Sequence, residues 1–207
     1  MKKIGITGGS GLLGKLLLKE LKKKKISYSL FKKDITIQKD IIEWLSENDK
    51  IEYIFHFAAY TSAINSSKNK IKAYNTNVKG TENLINAVNF KKKKRIIFFS
   101  STSHVYDYST KSIKENFKLK PTSFYGKTKL LAEKKFLKKK YRYHKYFIAR
   151  IFSIYHNKQK KPFLYPTMKY KLKKMKSNKV YVKGAHNIRD FLNADQVILC
   201  PVYAAGE

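Results

Sequence analysis

Acidic residues are scarce in this chain: 14 Asp+Glu stand against 46 Lys+Arg, a formal net charge of +32. Such a surface attracts anionic ligands. Arginine is scarce as well, with only Arg95, Arg142, Arg150 and Arg189 among the basic residues. A reader of nucleic acid relies on bidentate guanidinium contacts to phosphate and guanine, so a nucleic-acid role is disfavoured despite the charge. The lysine runs at 22–25 and 91–94 fall where helices should end, and there they complement the helix dipole. Cysteine is nearly missing. Cys200 stands alone, which excludes a disulfide framework and points to a reducing, cytoplasmic compartment. No apolar run approaches the roughly 20 residues of a membrane span. The opening MKKIGITGG is broken by glycine too early for a signal peptide, and no metal site is expected.

What is present is a chain of 207 residues, 43% of them hydrophobic, enough for one domain with a sizeable core. Short apolar runs alternate with longer periodic stretches. Strands are expected at Lys3–Thr7, Ser27–Phe31, Tyr53–Phe57, Ile96–Ser100 and Tyr146–Ile151. Helices are expected at Leu12–Lys24, Ile37–Asn48, Ile71–Asn89 and Phe124–Lys140. Strand–helix alternation of this kind makes an α/β fold, a doubly wound parallel sheet with helices on both faces. Composition shifts at Asn157–Pro166, separating residues 1–156 from a smaller region, 157–207. That region has room for a helix near Pro166–Lys176, a strand at Val180–Lys183 and little more.

The first strand runs into TGGSGLLGK, with Gly8, Gly11 and Gly14 opening an amphipathic helix. Glycines in this place allow a tight turn and bring backbone amides to a pyrophosphate at the helix N-terminus. Residues Gly8, Gly9, Ser10, Gly11, Leu12, Leu13 and Gly14 are therefore the candidate dinucleotide cradle of a Rossmann-type domain. No GK[ST] follows at P-loop spacing. The second strand ends FKKDIT, where a basic residue accommodates a 2′-phosphate and an acidic one binds a ribose hydroxyl. Lys32 and Lys33 tilt the expected cofactor from NAD towards NADP. Further along, SFYGKTKLLAE places Tyr125 four residues before Lys129, on one face if the stretch is helical.

These segments, taken in order, resemble one family. TGGSGLLG resembles the cofactor fingerprint of the extended short-chain dehydrogenase/reductases, the NAD-dependent epimerase/dehydratase family. HFAAYTSA at 56–63, YNTNVKGTENLINAV at 74–88, FFSSTSHVYD at 98–107 and FYGKTKLLAE follow in the family's sequence. The resemblance implies that Tyr125 is the acid/base, and that Lys129 binds the nicotinamide ribose and activates the phenol. Thr102 would orient the substrate oxygen. A free tyrosine has a pKa of about 10, and a neighbouring ammonium is expected to lower it. Cofactor contacts carried over by the resemblance are Asp34, Ile35, Phe57, Ala58, Ala59, Asn77 and Phe152.

The same resemblance implies a nucleotide-linked sugar as substrate. Ser103, His104 and Ser153 would face it, and Arg189 of NIRDFLNADQV would hold its diphosphate. Family dehydratases carry an acidic pair directly after the catalytic hydroxyl. Here Ser103 and His104 follow Thr102, which leaves an epimerase or a reductase. Dimerisation through the helices at Ile71–Asn89 and Phe124–Lys140 is also implied. The chain stops at Glu207, so the substrate-binding portion is expected to be incomplete and one edge of the sheet exposed. Two other readings remain: a dinucleotide-binding sensor or scaffold without turnover, and a basic nucleic-acid binder.

Overall fold

The computed structural model describes residues 3–91, 93–138, 144–175, 179 and 188–199. The expected strand at Val180–Lys183 lies outside them. Five parallel strands make the main sheet: β1 (Lys3–Thr7), β2 (Tyr28–Phe31), β3 (Ile51–His56), β4 (Ile96–Thr102) and β5 (Lys145–Ile151), in the order β2-β1-β3-β4-β5. Successive connections run one way from β1 to β2 and the other way from β1's far side onward. The strand order therefore reverses between β1 and β3, the switch point where open α/β sheets hold ligands.

Strand pleating sends alternate side chains to two cores. On one face Ile54, Ile97 and Phe99 pack with Ile41, Trp44 and Leu45 of α2 (Gln38–Glu47), with Leu84, Ile85 and Val88 of α5 (Gly80–Phe90), and with Ala132 and Phe136 of α6 (Phe124–Phe136). On the other, Ile4, Ile6, Phe55 and Phe98 pack with Leu16, Leu17 and Leu21 of α1 (Leu12–Lys23). Ala194 and Ile198, beyond the composition shift at 157, join this second core. So the later region is built partly onto the sheet. It also contributes β6 (Ser153–Tyr155), which pairs in parallel with β7 (Phe191–Asn193), and the exposed helix α7 (Leu164–Lys173).

The helix expected at Ile71–Asn89 is not uniform. A short α3 (Ala63–Lys68) precedes α4 (Lys70–Tyr74), a π-helical turn occupies Asn75–Lys79, and α5 follows. The wide turn lets Asn77 reach inward, and a buried side chain there is worth the irregular backbone only if its polar atoms are satisfied. They are satisfied, as described below. At the sheet's other end β5 has no further neighbour among the described residues, and Phe147 on it is 56% exposed while stacking on Phe98 at 5.5 Å. No helix of the described residues is long and apolar enough to cross a membrane.

Candidate active site

At the switch point Gly8 has φ +73°, the left-handed region that favours glycine. A Cβ there would also lie 2.4 Å from the amide nitrogen of Ala58 at the end of β3. The turn closes with Gly11 N–H donating to Gly8 O at 3.1 Å, and α1 begins at Leu12 with no side-chain cap. Its first amides thus stay available to an anionic group, backed by the positive end of the helix dipole. A pyrophosphate fits this cradle.

Directly behind it, Thr7 and His56 form a buried chain of hydrogen bonds. Thr81 donates its hydroxyl to Asn77 O at 2.7 Å, so it accepts from His56 Nε2 at 2.9 Å. His56 Nδ1 is then the acceptor for the Thr7 hydroxyl at 2.7 Å, which in turn accepts from Ala58 N at 3.3 Å. Burial first, and then the charge of Lys129, push His56 down to about 3, so it stays neutral in this one tautomer. Asn77 continues the chain. Its Oδ1 accepts from Tyr60 N at 2.7 Å, and its Nδ2 donates to Tyr60 O at 3.2 Å and Thr128 Oγ1 at 2.9 Å. Thr128 then donates to Tyr125 O at 2.8 Å. The amide of Asn77 therefore ties the segment after Ala59 to α6, and its polar atoms already have protein partners.

Helix α6 opens at Ser123, whose Oγ accepts from Gly126 N at 3.0 Å. Its first turn lies against the end of β4 and the 3₁₀ turn Ser103–Val105. The approach is so close that a Cβ at Gly126 would sit 2.2 Å from His104 O. This packing sets Tyr125 beside Thr102. Thr102 is 6% exposed, accepts from His104 N at 3.3 Å, and lies near enough to the Tyr125 phenol to act on its pKa. Ser101, next along the strand, points the other way and donates to Glu133. Lys129, one turn after Tyr125, is 1% exposed, with Nζ 4.1 Å from the centre of the Phe99 ring.

The expected lowering of the phenol does not occur. Burial pushes Tyr125 up to about 12, and the hydrogen bond from Thr102 opposes this only in part. Burial likewise pushes Lys129 down to about 7, against the pull of Glu133. Desolvation of the phenol therefore wins, and Lys129 is not among the groups that shift it.

At the mouth, His104 meets the Tyr125 ring edge-on at 5.9 Å. Burial and then the charge of Arg189 hold His104 below its usual value, so Arg189 lies near enough to act on this corner. Ser153 N donates to Asp190 O at 3.2 Å, bringing the Phe152–Ser153 segment beside Arg189. Phe152 also faces Tyr106 at 6.3 Å. Asp34 accepts from Thr36 N and Oγ1 at 2.8 and 2.9 Å, and lines a cleft of about 450 Å3 with Asn69, Lys72, Asn75 and Thr76. Lys33 is tied to Glu43 at 2.6 Å, while Lys32 is exposed. Ile35 and Phe57 are buried, one in each of the two cores.

Sequence reasoning missed Gly126, Glu133 and Arg150. A glycine inside a helix next to a candidate tyrosine was a usable signal, because glycine there is costly without a packing reason. Nothing local marked Glu133 and Arg150, whose pairing spans α6 and β5.

A family model, described as the NAD dependent epimerase/dehydratase family, matches residues 4–207. A UDP-glucose 4-epimerase of Dictyostelium discoideum is 36% identical over 100 residues, 48% of this chain and 29% of the relative. A GDP-6-deoxy-D-talose 4-dehydrogenase of Aggregatibacter actinomycetemcomitans is 29% identical over 201 residues, 93% of this chain and 66% of the relative. The chain thus matches less than two thirds of the length of each. Among solved structures, RMD from Pseudomonas aeruginosa complexed with NADPH superposes with a TM-score of 0.81 at 22% identity, covering 98% of this chain and 73% of that one. With the family model spanning nearly the whole chain, this protein belongs to the NAD dependent epimerase/dehydratase family.

Proposed function

We propose that this chain is an NAD(P)-dependent enzyme that moves a proton and a hydride at a carbinol or keto carbon of a nucleotide-linked sugar. The reading is supported by Thr102 near the Tyr125 phenol, by Lys129 buried one turn further along the same helix, and by the glycine turn after β1. The dinucleotide supplies the hydride acceptor or donor when bound. This chain's residues do the rest. The amides of Leu12 and Leu13 hold the pyrophosphate, and Asp34 borders the adenine side. Thr102 hydrogen-bonds the substrate oxygen, and Tyr125 takes the proton from that oxygen or returns it. The positive charge of an oxidised nicotinamide would favour the phenolate once the dinucleotide is bound, and Lys129 would add to it when protonated.

Arg189 beside His104 suits the substrate's diphosphate, since a guanidinium engages two oxygens at once. Ser103 and His104 in place of an acidic pair favour epimerisation or reduction over dehydration. Lys33 is occupied by Glu43, so the preference for NADP rests on Lys32 alone. Fluorescence titration with NADH and NADPH decides it.

The test is Tyr125→Phe, assayed on a panel of UDP-, dTDP- and GDP-linked sugars with both dinucleotides. Loss of a proton-transfer group lowers turnover by about 10²–10⁴-fold. The variant should therefore lose turnover to that extent and keep its dinucleotide affinity. Turnover comparable to the parent would defeat the assignment.

A further inference from the structure

Glu133 has no part in the proton transfer above, yet it is buried to 1% exposure at the back of the same site. On α6 it stands one turn beyond Lys129 and two beyond Tyr125, so the three share a face. Its carboxylate joins three elements. From β4, Ser101 donates its hydroxyl to Oε1. From β5, Arg150 donates Nε to both carboxylate oxygens at 3.2 Å and Nη2 to Oε2 at 2.9 Å. Arg150 in turn reaches Tyr106 Oη at 3.1 Å and Glu115 O at 2.8 Å, outside the strand end. Ser101 is the chain neighbour of Thr102. One carboxylate thus clamps the strand end carrying the threonine to the helix carrying the tyrosine and the lysine.

We infer that Glu133 is a positioning residue for the proposed reaction: it fixes Thr102 against Tyr125 and is the counter-charge that keeps Lys129 an ammonium. This inference rests on the reading of Lys129 as activator. The charges around the lysine support it. His56 from β3 is neutral, Ser101 and Thr102 from β4 are uncharged, and Tyr125 on its own helix is a neutral phenol. Phe99 offers only its ring face, and Tyr106 is turned towards Arg150. On the α5 side, Glu82 is bound to Lys135 at 2.8 Å. Arg150 adds a second cation to the cluster, so the single carboxylate of Glu133 serves both. Burial alone disfavours the ammonium, and the carboxylate opposes that loss.

The measurement needs no substrate. Competitive acetylation of the protein with acetic anhydride across pH, followed by peptide mapping, gives a labelling midpoint for Lys129, with exposed Lys127 as internal control. Glu133→Gln keeps the shape but strands Arg150, so Glu133→Gln/Arg150→Gln is made beside it to remove the pair together. In Glu133→Gln the Lys129 midpoint should fall by about one pH unit, and in the double variant by less, because a cation leaves with the carboxylate, while that of Lys127 stays put in both. NADH titrated by fluorescence should bind several-fold more weakly at pH 7.5, with recovery at lower pH as the lysine regains its proton. An unshifted Lys129 midpoint, or a double variant that cannot fold, makes Glu133 purely architectural and overturns the inference. Neither readout depends on turnover, so this failure is separable from that of the Tyr125→Phe test.

Discussion

Lys129 weakens the fold that holds it. In the unfolded chain its ammonium keeps a proton up to its ordinary 10.5, whereas in the folded protein burial pushes it down to about 7. Between those values the unfolded state binds more protons, so stability rises with pH across that window. Below about 7 both states carry the charge, and the fold bears the full desolvation penalty, a few kcal/mol at most on this reasoning. Lys129→Met should therefore raise the melting temperature near pH 6.5. For a domain of this size the gain is on the order of 2–4 °C per kcal/mol. Turnover should be lost in the same variant. A melting temperature that falls would mean the ammonium is better solvated than its burial implies.

Gly126 makes a second residue-scale case. Alanine in a helix is ordinarily favoured over glycine by about 1 kcal/mol. Here the added Cβ would meet backbone, His104 O at 2.2 Å, so overlap outweighs propensity. Gly126→Ala should destabilise by about 1–3 kcal/mol and lower turnover by shifting Tyr125 from Thr102. Gly80→Ala is the matched control. Its Cβ would meet Ile35 Cγ2 at 2.7 Å, the movable end of a side chain, so its thermal shift should be the smaller. Equal shifts for the two would remove the case for close backbone approach at Gly126.

Among the elements, those whose apolar pattern is local were legible in the sequence. The runs KIGIT and IIFFS stand as strands, and α1 ends within one residue of its expected place. Elements made by distant partners were not. Six residues reading AINSSK carry no helical period, yet α3 forms there. β6 and β7 are three residues each and exist only because they pair with one another across nearly forty residues. The expected long helix at Ile71–Asn89 hid a π turn, because nothing in NTNVK announces that Asn77 is needed by Tyr60 and Thr128. The site follows the same rule. Tyr125 and Lys129 are neighbours on one helix and could be read, whereas the Glu133–Arg150 clamp spans two elements. Asn77→Ala tests the π turn directly. It strands the part-buried N–H of Tyr60, which costs up to about 1–3 kcal/mol. Hydrogen exchange should then quicken in the segment following Ala59, and a uniform global loss without local change would count against a positioning role.

At the scale of the whole molecule the governing quantity is charge. A net +32 over 207 residues places lysines within reach of one another across the surface, and among the described residues carboxylates pair with some of them, as Glu43 does with Lys33 and Glu82 with Lys135. Self-repulsion of this kind opposes compaction, and salt screens it with a Debye length of about 10 Å at 0.1 M. Raising sodium chloride from about 0.02 M to about 0.3 M should therefore increase the melting temperature, with most of the gain below about 0.15 M, where the screening length changes fastest. Sodium sulfate at equal ionic strength separates screening from surface exclusion, since sulfate also strengthens apolar burial. The same field should attract anionic ligands to the surface. Association of NADPH should slow as salt rises while its dissociation changes little, because steering acts on encounter. A melting temperature that stays flat or falls with sodium chloride would mean the lysines are spaced and hydrated well enough to ignore one another. The dependence of NADPH association on salt would then reflect the charge local to the cradle, and neutralising Lys32 would remove most of it.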